Sequence, residues 1–109
     1  MEIRFINNKL EKSFTDDRLL AKTYGQLGKK VKQRYGELKA AENLSVISKI
    51  PVLRLHQYTG KTAIWSIDIH QNWRILFTID QDPIPKLEDG GINLTAIEII
   101  KIESVEDPH

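Results

Sequence analysis

Two histidines, His56 and His109, stand with Lys61, Arg74 and Asp107 as the residues of this chain best suited to proton transfer or anion binding near neutral pH. His56 closes the run VLRLH, Lys61 follows Gly60 in a turn, and Arg74 follows Asn72-Trp73 at the head of an alternating run. Asp107 and His109 flank Pro108 at the end of the sequence. Phosphodiester cleavage without metal asks for a base to activate a 2′-hydroxyl, a cation to stabilise the charged phosphorane and an acid for the leaving oxygen. These side-chain types are all present, and arginine adds bidentate contact with phosphate.

Each residue also has a structural reading. His56 can be a strand-end histidine bonded to backbone, and Arg74, which alternates with Trp73 and Ile75, can form a salt bridge on a sheet surface. Trp65 and Trp73 read as core anchors or partner contacts rather than base-stacking platforms. Asp68 and His70 share one strand face, but two ligands make a weak metal signal. Glycine-rich phosphate loops, HExxH and nucleophile elbows are absent from the sequence.

The positioning elements follow from hydropathy period and from capping residues. Residues 2–6, EIRFI, alternate as a short strand. SFTDDRLLAKTYG predicts a short helix capped by Ser13 or Thr15, with Asp16 and Asp17 at its N-terminal end and Gly25 as its stop. From Gln26 to about Asn43, Leu27, Val31, Tyr35, Leu38 and Ala41 fall on one helical stripe, leaving Lys29, Lys30, Lys32 and Arg34 largely on the other faces. Beyond Pro51 the period changes to two, and VLRLH, TAIWSIDI, NWRILFTI and INLTAIEIIKI read as four strands. Turns at Gly60-Lys61 and His70-Gln71-Asn72 make the first three a meander, and the loop DQDPIPKLEDGG precedes the last. The expected fold class is α+β: a short N-terminal strand, then a two-helix antiparallel hairpin packed on a mainly antiparallel sheet.

A length of 109 residues suits one domain spanning 1–109. The composition, 28% charged and 40% hydrophobic, is that of a globular protein, and the apolar runs are far shorter than the roughly 20 residues of a membrane span. With no cysteine, disulfides and thiolate metal sites are excluded, and the start MEIRFINNKL has no signal-like apolar run, so a cytoplasmic location is expected. A net charge of +1 conceals an asymmetry. Residues 1–49 hold eleven Lys or Arg against six Asp or Glu, and residues 50–109 hold five against nine. The basic first half is either a polyanion-facing side, with Lys29, Lys30, Lys32 and Arg34 as candidate substrate contacts, or a set of solvated helix faces.

The segments YGQLGKKVKQRYGELKAAENL, LRLHQYTG, WSIDIHQNWRILF and KLEDGGINLTAIEIIKIESVEDPH together resemble the HigB (plasmid maintenance killer protein) branch of the RelE/ParE toxin superfamily. The resemblance runs through nearly the whole chain in the same order. It implies a helical hairpin on an antiparallel sheet and a ribosome-dependent mRNA endoribonuclease that cuts within the A-site codon without metal or organic cofactor. Implied partners are the ribosome, mRNA and a HigA-like helix-turn-helix antitoxin, with operator DNA bound only through the toxin–antitoxin complex.

By the same resemblance, Arg74 matches the arginine that stabilises the scissile phosphate, His109 the terminal histidine that moves protons, Asp107 its aspartate, and His56 the histidine of the LH motif. Pro108 departs from the family's tyrosine, fixing φ and removing an N–H donor. Thr59 stands where the family has a catalytic lysine, and Lys61 lies two residues on. Both departures also fit a second expectation, a gyrase-inhibiting or attenuated relative acting mainly through antitoxin binding. A third, a standalone nucleic-acid-binding domain, rests on the basic hairpin alone.

Overall fold

The alternation of Glu2–Phe5 sends Ile3 and Phe5 toward the core and leaves Glu2 and Arg4 exposed, which makes this segment the first strand, β1. The computed structural model describes residues 1–58 and 64–107. After β1 come α1 (Asn8–Thr15), α2 (Asp17–Tyr24), α3 (Gly28–Ala40) and a short α4 (Leu44–Ser48), then β2 (His56–Gln57), β3 (Trp65–His70), β4 (Trp73–Ile79) and β5 (Ile99–Glu106). The sheet order is β1-β5-β4-β3-β2. β1 runs parallel to β5, and the other pairs are antiparallel. The α+β class and the β2–β3–β4 meander agree with the sequence.

The helices differ in detail. The first begins at Asn8 rather than at Ser13 or Thr15, because Asn7 caps it: its Oδ1 accepts from Leu10 N at 2.8 Å. Ser13 and Thr15 instead turn their hydroxyls back on the carbonyls of Leu10 and Glu11. Asp16, in an extended conformation, then divides the run into two helices, accepting from Arg18 N and Leu19 N at 3.0 and 3.2 Å to start α2. Gly25, at φ 57°, ends α2 in a conformation that side chains disfavour. The two-helix hairpin is therefore a three-helix layer, and α3 stops at Ala40 before Asn43 caps α4.

Two predicted strands are shorter than expected. In VLRLH, Pro51–Leu53 form a 3-10 turn with Leu53 buried, Arg54 adopts a left-handed backbone, and only His56 joins the sheet. In INLTAIEIIKI, Leu94–Ala96 form another 3-10 turn and the strand begins at Ile99. Gln81 fastens this connection: its Oε1 accepts from Glu98 N and Ile99 N at 2.6 and 3.0 Å, and its Nε2 donates to Ala96 O at 3.1 Å.

The helices cover one face of the sheet. Ile67, Ile69, Ile75, Phe77, Ile100 and Ile102 meet Phe14, Leu20, Val31 and Leu38 there, each fully buried apolar side chain contributing about 1.5–3 kcal/mol. Phe14 sits among Phe5, Tyr24 and Tyr35 at ring separations of 5.2–5.9 Å. Trp65 is a core residue, whereas Trp73 is 38% exposed. Among the described residues no helix is long and apolar enough to cross a membrane.

Candidate functional site

Strand alternation sends Ser66 and Asp68 of β3 and Arg74 of β4 to the face away from the helices, because Ile67, Ile69 and Ile75 take the core face. The register of β3 and β4 slips between Asp68 and His70, and this bulge sets Asp68 directly opposite Arg74. His56 lies opposite Ser66 on the neighbouring strand. A small cleft of about 150 Å³ is lined by Arg54, His56, Ser66, Asp68 and Arg74. A roomier groove of about 360 Å³ bounded by Ile6, Leu10, Tyr24 and Val105 is mainly apolar and contains none of these cations. Convergence of charge, rather than volume, singles out the smaller one.

Arg74 is three-quarters covered. Its Nη1 donates to Tyr58 Oη at 3.5 Å, and its Nε lies 3.4 Å from Asp68 Oδ1. That last approach is an ion pair by distance but not a formed hydrogen bond, and Arg74 Nε is buried with no acceptor among the described residues. The Arg74 guanidinium is held above its ordinary pKa, first by the Tyr58 hydroxyl and then by the carboxylates of Asp68 and Asp107, against the opposing effect of partial burial. It is a cation throughout the working range of pH. The second oxygen of Asp68 faces Arg54 Nη1 at 3.3 Å, so one carboxylate stands between two guanidiniums. His56 is exposed, with its ring 5.4 Å from that of Tyr58.

Of the residues singled out from sequence, Arg74 and His56 line the same cleft, and Asp107, at the end of β5, lies within electrostatic reach of Arg74. Lys61 and His109, with Thr59 and Pro108, lie outside the described residues. Lys29, Lys30 and Lys32 are exposed on α3, in the layer behind the sheet, and Lys32 pairs with Asp17 at 2.8 Å. Arg34 needs correction as a substrate contact. It is 5% exposed and held inside, donating to Asp68 O at 3.0 Å, Ile69 O at 3.4 Å and Glu37 Oε1 at 2.8 Å.

Sequence reasoning passed over Arg54 and weighed Asp68 only as a metal ligand. Its missing signal was the bulge, which no composition rule reveals. Compared with models of known families the chain matches none, and no curated protein matches it.

Proposed function

We propose that this chain is a ribosome-dependent mRNA endoribonuclease, the HigB-type toxin of a type II toxin–antitoxin pair. The observation that carries this reading is Arg74: a permanent cation, anchored on the sheet face away from the helices, with His56 in the same cleft and Asp107 close by. In the reaction the 2′-oxygen attacks phosphorus, its proton passes to a base, and the P–O5′ bond breaks as an acid protonates the leaving oxygen. Arg74 stabilises the extra negative charge on the phosphorane. On this reading His56 exchanges a proton, and the resemblance gives the same duty to His109. The proposed partners are the ribosome, mRNA and a HigA-like antitoxin, and the proposed setting is the cytoplasm.

One observation favours a second reading. Asp68 already sits against Arg74, so part of the charge offered to RNA is neutralised within the protein. That suits an attenuated relative that mainly binds its antitoxin.

The deciding experiment is induction in bacteria with mapping of new mRNA 5′ ends, beside Arg74→Ala and His109→Ala. Cuts in translated frames that vanish in both variants support the nuclease. Growth arrest without such cuts moves the target elsewhere, and absence of arrest leaves the antitoxin-binding reading.

A further inference from the structure

The Asp68 carboxylate joins two cations of different origin. Arg74 comes from the middle of the sheet and is 26% exposed at its side chain, whereas Arg54 comes from the turn before β2 and is 71% exposed. Arg54 reaches the cleft because its backbone is left-handed, at φ 45° and ψ 56°, an unfavourable conformation for a residue with a side chain. Leu53, fully buried, and the Arg54 N–H bond to Pro51 O at 3.1 Å hold the turn in that shape.

Neither arginine is well satisfied by Asp68. The two approaches, 3.3 and 3.4 Å, exceed the roughly 2.7–2.9 Å of a charge-assisted hydrogen bond. Arg74 Nε, buried and without an acceptor among the described residues, still has a hydrogen bond to give. A carboxylate that separates two guanidiniums without bonding closely to either has the position and charge of a phosphate group, on a residue 16% exposed at its side chain.

We infer that Arg54 and Arg74 form a two-arginine clamp for one phosphodiester of single-stranded RNA, and that Asp68 is the internal anion against which this phosphate competes. The inference rests on the proposed function for its ligand, and it assigns to Arg54 and Asp68 roles that the resemblance did not give them. Arg54 is a substrate-binding residue. Asp68 lowers affinity in the free protein by engaging both cations, and it keeps them facing one point.

The test is an NMR titration of the Nε–H resonances of Arg54 and Arg74 with a dinucleotide monophosphate carrying a 2′-O-methyl group, which cannot be cleaved. Both resonances should move along one saturation curve. Arg54→Gln should weaken binding about tenfold, the scale of one hydrogen bond to a charged group, while Lys86→Gln, at an exposed loop position, should not. Asp68→Asn should tighten binding by a similar factor. The inference is overturned if Arg54 does not respond to the dinucleotide, if Arg54→Gln binds like Lys86→Gln, or if Asp68→Asn weakens binding, as a purely supporting role for Asp68 requires. Mapping mRNA 5′ ends with the same proteins separates the two failures. Wild-type cuts that persist undiminished in Arg54→Gln reject the clamp and keep the nuclease, whereas shared binding by both arginines without any cuts keeps the clamp and rejects the nuclease.

Discussion

Arg34 and Asp68 are joined through the backbone: Arg34 Nε, on the central helix, donates to the Asp68 carbonyl at 3.0 Å. The side chain of that same Asp68 faces Arg74. The bond lies at the bulge, where the shift in register disturbs regular pairing with β4, and Arg34 supplies donors to the carbonyls of Asp68 and Ile69. A helix residue buried in the layer therefore fixes a strand residue of the cleft. Arg34→Met should destabilise the fold by about 3 kcal/mol, since it strands two carbonyls and the partly buried Glu37 carboxylate. Urea unfolding checks this. A loss below about 1 kcal/mol would mean that solvent reaches these groups as readily as Arg34 does.

Arg74→Ala should leave folding intact and lower mRNA cleavage about 100- to 1,000-fold, the usual effect of removing one donor to a developing charge. Arg74→Lys should recover little, because a point charge lacks the planar fork. The pH dependence has a definite sign. A cation whose folded pKa is raised is charged at every pH below its ordinary value, and its stabilising effect is lost only in strong alkali. Any change in single-turnover cleavage between pH 6 and about pH 9 must then arise from another group, which equal profiles for wild type and Tyr58→Phe would support.

Tyr24 gives a pH effect on stability instead. Burial, opposed by its 2.8 Å bond with Ser13 Oγ, raises the phenol pKa in the folded state. Above about pH 10 the unfolded chain loses this proton while the folded one retains it, so stability falls as pH rises from there toward the folded value. The urea midpoint should drop more between pH 8 and about pH 10.5 in wild type than in Tyr24→Phe. Equal drops would place the alkaline sensitivity on other groups.

Gln81 holds three backbone groups at the entrance to β5. Replacing it with leucine should cost about 2–3 kcal/mol, because an apolar side chain of similar size leaves those groups without their partner. Amide exchange at Glu98 and Ile99 would report the loss locally, and unchanged protection there would show that water substitutes.

Much of this was legible beforehand, and the errors have identifiable causes. Period two predicted β3 and β4 because each presents alternate isoleucines to the core. The turn is shorter than the sequence suggests: His70 pairs with Trp73, and a two-residue turn with regular pairing would set Ile69 opposite Arg74, so the bulge restores the separation of core and polar faces. Arg34 was misplaced for want of a check of its position. It lies three residues after Val31 and four before Leu38, on the buried stripe itself. VLRLH misled because a 3-10 turn and the left-handed Arg54 bury Leu53 and expose Arg54 in the order that strand alternation would. The start of α1 was visible in Asn7, but Ser13 and Thr15 drew the prediction because they precede a more apolar run.

β5 is the last strand in sequence, yet it lies between β1 and β4, and its register with β1 joins Glu2 to Ile99 and Phe5 to Ile102. During synthesis the sheet therefore waits for its inner strand. Until Ile99 and the residues after it have cleared the exit tunnel, β1 has no neighbour and β4 has one free edge, so the nascent chain cannot complete its core. A chain stalled before Ile99 should remain open to protease even with its helices and meander already made. Asp107, which helps hold the charge on Arg74, emerges later still, so fold and site are both unfinished until β5 and the residue after it have emerged.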